Sequence, residues 1–276
     1  MDEARQHCAR NWSTALEFQH SIYTRFPSFP KIDLQYAQVL NSDAETNYSW
    51  TRAGGIPGNH AICLRPTVVE QETAHVFAHE LMHVWLSSAR YEQEQPRFRI
   101  PGCHPKTASR FFLKHFNRCF GDDDRQFMTE VIAVSRNWAL DILVEGRISS
   151  HPVLQGLFSS QVVSIVDRCK RSGKKSNVGH IWNSWPRPVA TKLLSIEAGF
   201  FAYCDYLFSY ETRLCDHYLK RLDMDAAVRS YATDICAYAI KAASKQVVGT
   251  DCDFADDILR IVGLGELIDW VMPAEL

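Results

Sequence analysis

Two histidines four residues apart with a glutamate beside the first, His79-Glu80-Leu81-Met82-His83, have the types and spacing to hold and use a metal ion. The surrounding run Val68–Ala89 reads as helix from end to end. On a helix, positions four apart lie nearly above one another, so both imidazoles leave one face about one turn apart. Two neutral imidazole nitrogens so placed can bind one tetrahedral zinc ion at roughly 2.0–2.1 Å. Glu80 projects about 100° further round, beside the metal rather than onto it. A carboxylate there can take a proton from a water whose pKa the metal has lowered. The flanks Ala74-His75-Val76-Phe77-Ala78 and Val84-Trp85-Leu86 are apolar, so the helix is expected to be buried nearly all round. Polar groups in such a helix need partners, and a metal supplies one. His75 shares the face but sits a third turn away, so it is read as packing or as support for a ligand.

A catalytic zinc takes a third protein ligand and leaves one position open for water. Asp122-Asp123-Asp124 should open a helix running to about Arg147, since negative charge suits a helix N-terminus. Its apolar seam is Phe127, Val131, Val134 and Trp138, and the same seam continues through Asp141 and Glu145. A carboxylate on a buried face is costly unless it is paired or metal-bound. One of the two can therefore ligate zinc while the other orients a ligand histidine. Both are kept as metal-site residues. His104, in the proline-broken loop after Arg90, competes for the third position.

These side chains must be held by a scaffold. Residues 4–26 read as an amphipathic helix, ended by Pro27 and Pro30. Lys31–Leu40 alternates in the manner of a strand, Tyr48–Ala53 reads as a second and His60–Leu64 as a third, with polar or glycine-rich turns at 41–47 and 54–59. Thr67 with Glu70 forms a capping box at the start of the metal helix. Lys106–Phe120 is helical in spacing. From Val153 on, helices are expected at 153–167, 189–208, 211–222, 225–244 and 254–262, with a last short one ending at Pro273. The expected fold class is α+β, mainly α: a small antiparallel sheet packed on the H-E-x-x-H helix, then a helical C-terminal half. Residues 1–150 would form the metal-site core and 151–276 a helical region packed on it.

A short sheet leading straight into an H-E-x-x-H helix resembles the zincin metallopeptidases, and the downstream carboxylate pair gives the resemblance a gluzincin-like cast. Asn137-Trp138-Ala139-Leu140-Asp141 is similar to the N-x-A-x-D helix of a group of bacterial and phage metallopeptidases. Glu145 stands where that group has asparagine, so the ligand choice between Asp141 and Glu145 stays open. In the Glu-ligand zincins the first of such a carboxylate pair binds metal and the second supports a histidine, which implies Asp141. SprT-like peptidases use a later histidine, which implies His104, although Pro105 stands where their glycine would be. The resemblance covers about residues 31–148. It implies a zinc metallopeptidase acting on a protein or peptide, with Glu80 as general base. Members of the group often occur beside ring ATPases and von Willebrand A-type proteins, which implies such a partner. A zincin scaffold serving as an adaptor, with structural zinc or latent activity, is the alternative.

The chain has 276 residues, 46% hydrophobic and 22% charged, with net charge −2. That balance points to neither nucleic acid nor membrane as an obligatory partner. The N-terminus Met1-Asp2-Glu3-Ala4-Arg5 lacks the apolar core of a signal peptide. Nine cysteines, an odd number at scattered spacings and without C-x-x-C, argue against a disulfide framework. A reducing, cytoplasmic location is expected. The basic run Arg168–Lys175 and the aromatic patch from Phe200 to Tyr210 are read as a solvated loop and as core. Arg147, His151, His180, Tyr203 and His217 are unranked candidates for stabilising an oxyanion.

Overall fold

A computed structural model of the chain describes residues 2–27, 31–36, 49–53, 59–64, 70–94, 100–172, 177–223, 226–245, 250–267 and 269–271. The expected turns at 41–47 and 54–58, the Thr67 cap and residues 173–175 of the basic run lie outside them. Two compact units are found: residues 1–93 with 144–171, and residues 94–143 with 172–276.

The first unit is built on two long helices, α1 (Asp2–Arg25) and α2 (Glu70–Glu94). Along α1, Ala15, Phe18 and Ile22 recur at helical spacing, continue into Phe26 and are all buried, while Leu16 between them is exposed. Ala74, Phe77, Ala78, Leu81, Met82 and Val84 of α2 complete the same core, joined by Val144, Ile148, Leu154 and Leu157. Rings tie the two helices together: Trp12 lies 5.6 Å from Phe77, and Trp85 lies 5.8 Å from Phe18 and 5.3 Å from Phe26. A fully buried Phe or Leu contributes roughly 1.5–3 kcal/mol relative to leaving it exposed. α2 is buried on several sides, and that burial carries His75, Glu80, Ser88 and Arg90 inside with the apolar residues.

The expected fold class needs correction. The protein is mainly helical, and the strands before α2 form a mixed parallel and antiparallel arrangement instead of the expected small antiparallel sheet. Three short extended segments, β1 (Lys31–Tyr36), β2 (Ser49–Ala53) and β3 (Asn59–Leu64), pair in the order β1-β3-β2. β1 runs parallel to β3, from Lys31↔Asn59 to Tyr36↔Leu64. Only β2 and β3 are antiparallel. Alternation marks a segment as extended but carries no information on which neighbour it pairs with or in which direction. Ile62 of β3 joins the core of α1 and α2.

The second unit is helical apart from one short strand pair. α3 (Pro105–Phe116) starts with His104 as N-cap and Pro105 in the first turn. It stops four residues short of the expected Phe120, because Asn117 takes a left-handed conformation with φ 51°. Phe112 and Phe116 stack at 4.6 Å, and Phe127 meets Trp185 at 4.7 Å. α4 (Arg125–Ser150) contributes its first nineteen residues to this unit and Val144–Ser150 to the first. α5 (Phe158–Arg171), in the first unit, takes up Arg168–Arg171 of the basic run, so those residues are helical rather than loop. α6 (Asn177–Ser184) has no counterpart in the sequence reading. α7 (Arg187–Leu207) is the spine, with fourteen buried residues. It meets α9 (Ala226–Lys245) so closely that a Cβ on Gly199 would lie 2.5 Å from Ile235 Cγ2. α8 (Leu214–Leu222) is capped from α7: the Asp205 carboxylate accepts from Leu214 N at 2.6 Å and Cys215 N at 3.0 Å. α10 (Asp251–Ile261) has a Thr250–Asp253 capping box. The last expected helix is instead a strand, β5 (Asp269–Val271), paired with β4 (Ile100–Gly102).

Candidate metal centre

His79 and His83 leave α2 on one face, as their spacing requires, and their Nε2 atoms lie 3.1 Å apart. Two imidazole nitrogens that close need either one shared proton or a cation between them. A tetrahedron built on bonds of roughly 2.0–2.1 Å has edges of about 3.3 Å, so 3.1 Å is near the separation of two ligands on one zinc. A carboxylate oxygen of Asp141 completes a group of three ligand atoms all within 4.8 Å of one another. Asp141 is 8% exposed. A buried carboxylate facing two imidazole nitrogens suits a divalent cation, and two nitrogens with one oxygen suit zinc.

Glu145, one turn further along α4, is placed differently. It is 1% exposed, and both of its carboxylate oxygens are hydrogen-bonded. Oε1 lies 2.7 Å from His79 Nδ1, and Oε2 lies 3.1 Å from His75 Nε2. Gln161 of α5 donates its amide to Oε2 at 2.7 Å. Burial raises the Glu145 pKa, but His75 and His79 more than offset it and hold the carboxyl well below the usual range. An ionised carboxylate only accepts, so both histidines must donate to it. A neutral His79 therefore carries its proton on Nδ1, and its Nε2 is the nitrogen that meets His83. This is the arrangement in which an outer carboxylate fixes the tautomer and orientation of a ligand histidine.

Asp141 and Glu145, which the sequence left as alternatives, are thus distinguished in the geometry: Asp141 offers an oxygen to the three-atom group, and Glu145 meets His79 at Nδ1. Glu80 follows His79 on α2 and is 7% exposed. His104 is not one of the three residues of this group. It caps α3, where its Nδ1 accepts from Lys106 N at 3.2 Å. Of the unranked oxyanion candidates, His151 packs edge-on against Phe18 at 4.9 Å and serves the core, where burial lowers its pKa. Tyr203 is buried and stacks on Tyr206 at 6.1 Å. Gln161 was absent from the sequence reading. Sixteen residues separate it from Glu145 across a 3-10 turn, and no periodicity links two such positions.

No protein-family model matches the chain, and neither curated proteins nor solved structures give a match.

Proposed function

We propose that the protein is a zinc-dependent metallopeptidase, with His79, His83 and Asp141 holding the metal and Glu80 acting as general base. The observation that carries this reading is the approach of one imidazole nitrogen from each of His79 and His83 and a carboxylate oxygen of buried Asp141 to within 4.8 Å of one another. Bound there, zinc would supply a Lewis acid that lowers the pKa of a water and polarises a carbonyl. Glu80 is the remaining carboxylate of the motif and makes no part of that ligand group. It takes the proton of the attacking water as the oxygen bonds to the peptide carbonyl carbon, and passes it to the amide nitrogen as the C–N bond breaks. Glu145 keeps His79 in the tautomer that leaves Nε2 bare.

Glu80→Gln tests the reading directly. Loss of a general base costs about 10²–10⁴-fold in rate. Hydrolysis of a quenched-fluorescent peptide library should fall by that factor while zinc content and circular dichroism stay unchanged. Undiminished hydrolysis, or none in the wild type with zinc bound, would move the chain to the scaffold alternative. The expected cytoplasmic location belongs to the same proposal. Among the described residues no helix is long and apolar enough to cross a membrane.

A further inference from the structure

His75 is 2% exposed, and among the described residues its Nδ1 has no hydrogen-bond partner. Burying an unsatisfied ring nitrogen is costly, and a leucine of similar size would fill the space without that cost. The ring is explained by its other nitrogen, which sits 3.1 Å from Glu145 Oε2. The two oxygens of Glu145 are thus divided: Oε1 serves His79, and Oε2 is held by His75 from α2 and by Gln161 from α5. Gln161 is itself fully buried, and its amide also reaches Ser149 Oγ at 3.0 Å and the Glu145 carbonyl at 3.3 Å. Ser149 Oγ in turn donates to that same carbonyl at 2.9 Å. A carboxylate bonded through one oxygen only can swing about its last torsion, which is broad. One gripped through both oxygens cannot.

We infer that His75 and Gln161 are positioning residues, a clamp on Glu145 that fixes the direction in which His79 presents Nε2 to a metal. This deepens the zinc-site reading and rests on it. Outer partners of ligand histidines typically contribute about 10–100-fold to metal affinity. The clamp reaches the ligand histidine through two successive hydrogen bonds, so its loss weakens binding without removing a ligand.

The experiment is competition for zinc between the full-length protein and a chromogenic chelator, with cobalt absorption spectra as a second readout. His75→Leu and Gln161→Leu should each still bind one zinc per chain, but more weakly by up to about 10-fold, less than the loss from Glu145→Ala, with a shifted cobalt spectrum. His75→Gln keeps a donor within reach of the carboxylate and should recover most of the lost affinity. In a Glu145→Ala background, His75→Leu should change nothing further. If the folded His75→Leu protein binds zinc as tightly as wild type and only its thermal midpoint falls, the clamp is overturned and His75 is packing. Should His75→Leu not fold, Gln161→Leu and His75→Gln decide, since affinity unchanged by Gln161→Leu also overturns the clamp. Wild-type protein without stoichiometric zinc is a separate result: it removes the zinc-site reading itself, and the clamp with it.

Discussion

A carboxylate surrounded by three donors and a carboxylate in a group of potential ligand atoms answer differently to removal. Asp141→Ala deletes an atom of the ligand group and should abolish stoichiometric zinc, as His83→Ala should. Glu145→Ala leaves all three ligand atoms in place and should weaken zinc by about 10–100-fold, while His104→Ala should leave it unchanged. Metal analysis of the four purified variants by mass spectrometry checks this ranking. Equal zinc content in wild type and Asp141→Ala would remove Asp141 from the site. The cysteines give a second expectation at this scale. Burial, with Asp205 nearby, pushes the Cys215 thiol up to about 12 and the Cys236 thiol to about 11. Only the thiolate is reactive, so both should resist iodoacetamide at pH 8, while exposed Cys119 is alkylated. Peptide mapping after a short pulse reads this out, and alkylation of Cys215 as fast as Cys119 would contradict the burial.

At the scale of elements, a helix start and a helix crossing bear weight. Arg118 donates to both oxygens of Asp124, at 2.7 and 2.6 Å, and Gly121 N donates at 2.9 Å just before α4 begins. The Arg118 hydrogen bonds hold the Asp124 carboxyl below its usual value of 3.8. A depressed pKa stabilises the fold at pH above the unfolded value, and the contribution is lost as pH falls through the folded one. Asp124→Asn should therefore lower the urea midpoint at pH 7, and the gap from wild type should close below about pH 3.8. A gap that does not narrow at all as pH falls below about 3.8 would assign the effect to shape rather than charge. Where α7 crosses α9, Gly199 leaves room for Ile235. Gly199→Ala forces a Cβ into that contact and should cost about 1–3 kcal/mol by denaturation, offsetting alanine's better helix propensity. Its partial reversal by Ile235→Val would confirm which contact is responsible.

For the molecule as a whole, the fold of the first unit and the metal site share one helix. α2 contributes Phe77 and Leu81 to the core and His79 and His83 to the proposed site, so a metal bound there would couple to stability. A ligand that binds only the native state at 1,000 times its Kd adds about 4.1 kcal/mol. Excess zinc should raise the thermal midpoint of the wild type, chelator should lower it, and neither should move His83→Ala. Phe77→Ala should cost about 3–5 kcal/mol and take zinc affinity down with it.

What the sequence determined by itself is what lies within one helical turn or one helical period. His79, Glu80 and His83 are fixed relative to one another by 3.6 residues per turn, whatever surrounds them. Asp141 and Glu145 stood out because charges continued an apolar seam, another local regularity. The long helices α1, α2, α4 and α7 were readable for the same reason, whereas α6, eight residues long, gave too few periods to register. Tertiary structure alone decided the rest. Strand direction depends on a partner distant in the chain, and so β1 lies parallel to β3 where an antiparallel sheet was expected. The division between Asp141 and Glu145 depends on which of them joins the three-atom group and which bonds His79 at Nδ1. Gln161 enters only because α5 comes back against α4 at Glu145, and no spacing along a chain encodes a meeting made in space.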